Sequence, residues 1–90
     1  MTISAQIQFI PLHNDSPMDR VDEAIAIIQA SGLHYSVGPF GTSVEGEQGA
    51  INELVLELQN LKTTTEFLLN VQYHLGENRL SNDEKVAKFR

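Results

Sequence analysis

The sequence predicts one α+β domain in which strands and helices follow the order βαββαβ. Two segments near the ends of the chain alternate apolar and polar residues, as half-buried strands do. Two others repeat apolar residues every three or four positions, as amphipathic helices do. Between them, a glycine-rich turn separates two short β-compatible runs. This order is typical of the ferredoxin-like fold, a four-stranded antiparallel sheet with two helices on one face.

The first strand is predicted over residues 3–9, whose odd-numbered positions are all apolar. Pro11 ends it. Ser16 and Pro17 then begin a helix, because serine is a favourable N-cap and proline suits the first helical position. Gly32 ends that helix, as glycine does at the position after a C-cap.

A hairpin follows, with strands at 34–37 and 42–45. The second helix is expected to run to Leu61 or Lys62, on the spacing of its apolar residues. The last strand alternates over residues 67–74, which completes the fold.

A domain of residues 1–76 and a tail of residues 77–90 are therefore expected. In the tail, Ser81–Glu84 has the pattern of a capping box and should open a short helix over residues 85–89. A helix of one or two turns is marginal alone, so Val86 and Phe89 must dock or the tail frays.

One face of the predicted sheet carries no helix. Because alternate residues of a strand point to opposite faces, this open face should display the following side chains from the first and last strands: Gln6, Gln8, Ile10, Leu68, Asn70, Gln72 and His74. Such a mixed surface suits a sheet-to-sheet contact or a hydrated ligand site. A domain this small gains core by pairing sheets, so a homodimer or homotetramer is expected.

Composition excludes several classes of protein. Twelve acidic residues against six basic ones give a net charge of −6, and three of the basic residues lie in the last six positions, so no patch favours nucleic acid or an anionic membrane. Cysteine is absent, which excludes disulfides and thiolate metal sites. The sequence shows neither a signal-peptide pattern nor a membrane-spanning run, and a cytoplasmic location is expected.

No catalytic apparatus is recognisable. The three histidines lie far apart without ligand-spaced neighbours, so neither a metal site nor a cofactor is expected. No Ser-His-Asp arrangement, phosphate-binding loop or dinucleotide fingerprint can be assembled. The chain is therefore not expected to be an enzyme.

The most distinctive feature is Glu45-Gly46-Glu47, where a strand becomes a helix. Glycine there would let the backbone approach a ligand closely, with the two carboxylates beside it. Alternatively, Glu47 interacts with the positive end of the second helix and Glu45 points to water. The residues alone leave both readings open.

Residues 38–47, which read GPFGTSVEGE, resemble the small thiamine-binding protein family, as do QFIP at 8–11 and SGLHY at 31–35. The resemblance extends more loosely over residues 2–75. It implies a ferredoxin-like subunit that assembles through its sheets into dimers and often tetramers. It further implies binding of thiamine or its hydroxymethylpyrimidine part, without a reaction. The chain departs from the family pattern over residues 72–79, which puts the identity of the ligand in question.

On this resemblance, the ligand-site candidates are Tyr35, Thr42, Glu45 and Glu47. An aromatic ring can stack on a pyrimidine, while a hydroxyl and a carboxylate can bind its ring nitrogen and amino group. Thr42 and Glu45 are three residues apart, so only a bend or bulge near Gly46 would bring them together. Otherwise Thr42 is a buried strand residue and Tyr35 a packed edge aromatic.

The function predicted is a binding protein for thiamine or its pyrimidine moiety, in vitamin storage, delivery or sensing. The alternative is a structural or regulatory oligomeric module without a small-molecule ligand. The two differ in whether a small molecule binds saturably.

Overall fold

The computed structural model describes residues 1–90 and confirms the predicted α+β, ferredoxin-like fold. The strands and helices, with their bounds, are β1 (Thr2–Pro11), α1 (Pro17–Ala30), β2 (His34–Val37), β3 (Thr42–Glu47), α2 (Gln48–Gln59), β4 (Phe67–His74) and α3 (Asn82–Val86), followed by a 3-10 turn (Ala87–Phe89). The sheet order is β2-β3-β1-β4, and every neighbouring pair is antiparallel.

The expected helix boundaries hold with two exceptions. Ser16 is the N-cap of α1, and Gly32 adopts the left-handed conformation (φ +77°) just beyond its end, as predicted. Helix α2 stops at Gln59, before Leu61, because Asn60 takes the C-cap position and its side-chain amide donates to the carbonyl of Leu56 at 2.8 Å. Helix α3 begins three residues earlier than predicted.

The hydrophobic core lies between the sheet and the two long helices. It contains ten buried apolar residues: Ile3, Ala5, Ile7, Ala24, Ile28, Val44, Ile51, Leu54, Val55 and Leu58. Alternation in β1 supplies three of them from one face of the strand. None of the helices has the length and apolar character that crossing a membrane requires.

The opposite face of the sheet carries the polar residues that the alternation predicted. Gln6 lies opposite Gln72, and Gln8 lies opposite Asn70, with a side-chain hydrogen bond of 3.1 Å between the latter two. From the sequence pattern, this whole face was expected to carry no helix. In the structure, residues 77–90 pass over one end of it, so that only the other end remains open.

Candidate functional site

The tail is attached to the sheet by Arg79. Its Nη1 donates to Oε2 of Glu45 at 2.7 Å and to Oγ of Ser4 at 2.8 Å, while its Nε donates to the carbonyl of Thr2 at 3.1 Å. The side chains of Arg79 and Glu45 are only 7% and 13% exposed. An ion pair this well shielded from solvent contributes more to docking than an exposed pair. Removing either partner would leave the other charge buried without a counterion.

Asn82 makes the second attachment, at the first turn of α3. Its backbone N–H donates to Glu45 Oε2 at 3.3 Å, and its side-chain amide donates to the carbonyl of Val44 at 3.2 Å. The Glu45 carboxylate thus accepts hydrogen bonds from two parts of the tail. These contacts set the position of α3 over the sheet.

Helix α3 itself begins with the capping box that the sequence predicted. Ser81 Oγ accepts from the backbone N–H of Glu84, whose carboxylate accepts from the backbone N–H of Ser81 at 2.9 Å. The hydrogen bond from the Ser81 backbone, then that from its side chain, and then the charge of Arg79 hold the pKa of Glu84 below its usual value. The helix is therefore ordered locally as well as by its docking.

A polar cavity of about 390 Å³ lies where α3 meets the middle of the open face. Its lining combines strand residues with three residues of the tail helix: Ser4, Ala5, Gln6, Ser43, Gln72, Tyr73, His74, Asn82, Lys85 and Val86. The volume lies within the range of small-molecule sites. The docked tail therefore forms one side of the cavity and the sheet forms the rest.

The floor of the cavity carries amide groups. Gln6 and Gln72 face each other across β1 and β4, and Ser43 Oγ donates to Oε1 of Gln6 at 3.0 Å. That bond engages the carbonyl oxygen of Gln6, while its amide nitrogen lies against Gly41. The Gln72 carboxamide supplies both a donor and an acceptor. The floor therefore offers both donors and acceptors to a planar, nitrogen-containing ring.

Of the four candidate residues, Glu45 and Thr42 lie on opposite faces of β3. The strand pairs with β1 in continuous register from Thr42 to Glu47, so the bend or bulge that would have joined them is absent. Thr42 is buried (4% exposed) on the helix side of the sheet, as expected for a strand without a bulge. Glu45 binds the tail rather than pointing to water or into the cavity.

Tyr35 and Glu47 lie away from the cavity. Tyr35 is opposite Val44 on the edge strand and is 38% exposed, which fits a partly packed edge aromatic. Glu47 occupies the N-cap position of α2, and its carboxylate accepts from the Met1 ammonium at 3.2 Å. None of the four lines the cavity, and a direct ligand-binding role for each stays a prediction.

Sequence reasoning missed Arg79, Asn82 and Lys85 as site residues. It located the tail helix through its capping box, and it expected docking through Val86 and Phe89. In the structure Val86 is half-buried and lines the cavity, whereas Phe89 is 75% exposed. Polar groups provide the other attachments of the tail. The spacing of residues in a sequence does not predict which distant carboxylate an arginine side chain will pair with. The available signal was the unusual stretch at 72–79, which contains Arg79.

The three histidines do not form a metal centre. No group of three or more His, Asp or Glu side chains comes together at metal-binding distances. His34 contacts Asp83 at 3.4 Å and His13 contacts Glu66 at 3.7 Å, both on exposed surface.

The fold and the site define a small ferredoxin-like domain whose C-terminal segment forms one side of an open, mainly polar cavity on the uncovered face of its sheet. The sequence model of the family described as "Thiamine-binding protein" matches residues 5–89, which includes that segment. The chain belongs to the thiamine-binding protein family.

Similar proteins cover the whole fold. A UPF0045 protein of Clostridium perfringens is 28% identical over 93 residues, which covers 99% of this chain and 98% of the relative. The crystal structure of a Thermotoga maritima protein, provisionally assigned to thiamine biosynthesis or salvage, superposes with a TM-score of 0.92 at 30% identity over 100% of both chains. A domain of unknown function from Bacillus cereus has a TM-score of 0.86 at 27% identity, covering 100% of this chain and 91% of that one.

Proposed function

We propose that this protein is a non-catalytic binding protein for thiamine or its hydroxymethylpyrimidine moiety, acting in vitamin storage, delivery or sensing in the cytoplasm. The observation that carries the proposal is the polar cavity of about 390 Å³ beneath the tail. Membership of the thiamine-binding family supports the choice of ligand. The provisional assignment of the Thermotoga maritima protein to thiamine metabolism supports it as well.

The cavity floor has chemistry that suits an aminopyrimidine. A carboxamide presents a donor and an acceptor side by side, which matches the amino group and adjacent ring nitrogen of such a ring, as glutamine matches adenine. Gln72 offers this pair from β4, and Gln6 lies opposite it on β1. We assign Gln72 as the main contact to the pyrimidine edge.

The absence of a reaction is part of the proposal. His74, the ring in the cavity best suited to move a proton, has its Nδ1 in contact with Lys85 Nζ. Ser4 Oγ donates to the Glu45 carboxylate, whose charge is paired with Arg79, and Ser43 Oγ donates to the neutral amide of Gln6. Neither hydroxyl therefore donates to a free base. These contacts favour holding a ligand over transforming it.

The assembly proposed is a homodimer or homotetramer formed through the uncovered end of the sheet. Leu68 is 49% exposed there, opposite the partly buried Ile10, beside the Gln8–Asn70 pair. Pairing two such faces would bury apolar surface that the tail does not reach. Sedimentation at micromolar concentration tests this, because a species of 10.0 kDa, the mass of one chain, would refute the assembly.

Calorimetric titration with thiamine and, separately, with hydroxymethylpyrimidine tests the function. We expect saturable binding with a defined stoichiometry per chain, and about tenfold weaker binding by Gln72→Ala, the loss of one good hydrogen-bonding pair. Gln29→Ala, on the exposed surface of α1, is the matched control and should bind as the wild type does.

Failure of both ligands to bind a folded protein would refute the proposal. The alternative, a structural or regulatory module, would then account for the fold, and a protein partner would be the next object of search. Enzymatic turnover of either compound would refute the non-catalytic assignment alone.

A further inference from the structure

The end of the cavity formed by the tail carries positive charge. Lys85 Nζ contacts Nδ1 of His74 across the gap between α3 and β4. An ammonium group only donates hydrogen bonds, so Nδ1 of His74 is the acceptor in this contact. Lys85 keeps two further N–H donors. This end of the cavity is therefore a set of donors beside a full positive charge.

No carboxylate offsets this charge within the cavity lining, although the chain as a whole has a net charge of −6. Glu45 follows the lining residue Ser43 by two positions on β3, but its carboxylate is paired with Arg79 at 2.7 Å and its side chain is 13% exposed. A cationic ring placed beside Lys85 would meet repulsion without a compensating anion. An anionic group placed there would receive charge-assisted hydrogen bonds.

The position of Lys85 is fixed by the docking of the tail. Asn82 holds the first turn of α3 to β3 through two hydrogen bonds, and Lys85 follows one helical turn later on the same side. Its stem therefore reaches toward His74 on the far side of the cavity. Lys88, two residues before the end of the chain, instead lies 5.0 Å from the centre of the Phe89 ring and does not line the cavity.

We propose that the cavity takes its pyrimidine ligand as a phosphate monoester, with the phosphate at Lys85 and His74 and the ring at Gln6 and Gln72. This inference rests on the proposed function and names the form of the ligand. The volume of about 390 Å³ accommodates a single substituted ring with its phosphate.

The test is calorimetric titration with hydroxymethylpyrimidine, its phosphate monoester and inorganic phosphate, at fixed ionic strength. We expect the monoester to bind at least about tenfold more tightly than the alcohol, as one or more charge-assisted hydrogen bonds imply. Lys85→Gln should abolish that preference while leaving affinity for the alcohol within about twofold of the wild-type value. Lys85→Arg should retain the preference, and the control Lys88→Gln should change neither affinity.

The outcomes separate this inference from the proposed function. Equal affinity for alcohol and monoester, or a preference that survives in Lys85→Gln, overturns the inference while the binding function stands. The inference is also overturned if inorganic phosphate binds as tightly as the monoester, because the site would then recognise only the anion and not the ring. If neither pyrimidine compound binds, the proposed function itself fails.

Discussion

Neutralising Glu45 should release the tail from the sheet without unfolding the domain. The substitution Glu45→Gln keeps the size of the side chain but removes the charge that pairs with Arg79 at 2.7 Å. A hydrogen bond to a charged group is worth about 1.5 to 3 kcal/mol, against about 0.5 to 1.5 for a neutral one. Oε2 also accepts from Ser4 Oγ at 3.4 Å and from the backbone N–H of Asn82 at 3.3 Å, so both attachments weaken together.

We expect a loss of about 2 kcal/mol, which corresponds to a roughly 30-fold rise in the population of the undocked tail. The full 3 to 5 kcal/mol typical of breaking a buried ion pair is not expected, because the tail can open locally and return Arg79 to water.

Limited digestion with trypsin measures this opening directly. Trypsin must take up the arginine side chain, and that of Arg79 is only 7% exposed when the tail is docked. Mass spectrometry would follow cleavage after Arg79 relative to cleavage after Lys88, which lies beyond the attachment. The rate should rise about 30-fold in Glu45→Gln if opening precedes cleavage.

Glu47→Gln is the control for this experiment. Glu47 belongs to the same motif, but its side chain is 71% exposed and its ion pair with the Met1 ammonium is of the kind worth about 0 to 1 kcal/mol. Unchanged cleavage after Arg79 in Glu45→Gln, or equal acceleration in both variants, would refute the assignment of Glu45 as the anchor of the tail.

Two further predictions concern glycines near the motif and the cap of α3. A Cβ on Gly46 would lie 2.4 Å from Leu33 Cδ2, the end of a flexible side chain that must turn aside, so Gly46→Ala should lower stability by no more than about 1 kcal/mol in thermal unfolding. Gly49→Ala meets nothing within 4 Å inside α2 and should raise stability by about 0.5 to 1 kcal/mol; equal signs would contradict this reasoning. Because the folded pKa of Glu84 lies below its unfolded value of 4.5, its contribution to stability is complete above that pH and is lost as pH falls through the folded pKa. Carboxyl NMR titration should show this lowered pKa, and Ser81→Ala, which keeps the backbone donor and removes the hydroxyl, should move it part of the way back toward 4.5; an unchanged pKa in that variant would contradict the contribution of the hydroxyl.

Sequence reasoning reached the fold because its signals are local. Three signals depend on neighbouring residues alone. They are the alternation in β1 and β4, the helical spacing in α1 and α2, and the end of α1 at Gly32. The same alternation placed Gln6 and Gln72 on the open face, and the structure confirms it. The end of α2 was predicted too late, because the side chain of Asn60 competes for the helix carbonyls.

The candidate site was less accessible to sequence reasoning. Motif resemblance drew attention to Thr42 and Glu45, but strand periodicity places them on opposite faces unless a bulge intervenes, and the structure has none. The cavity instead depends on Lys85 and Asn82, which lie about 40 residues beyond the motif in the chain.

By itself, then, the sequence determined the order of strands and helices, the two faces of the sheet and the capped helix in the tail, since each depends on local periodicity or capping. Tertiary structure alone decided where that helix lies. The pairing of Arg79 with Glu45 joins residues 34 apart, and no periodicity encodes such a contact. Because the cavity exists only between the docked helix and the sheet, its shape and its positive end are properties of the folded chain.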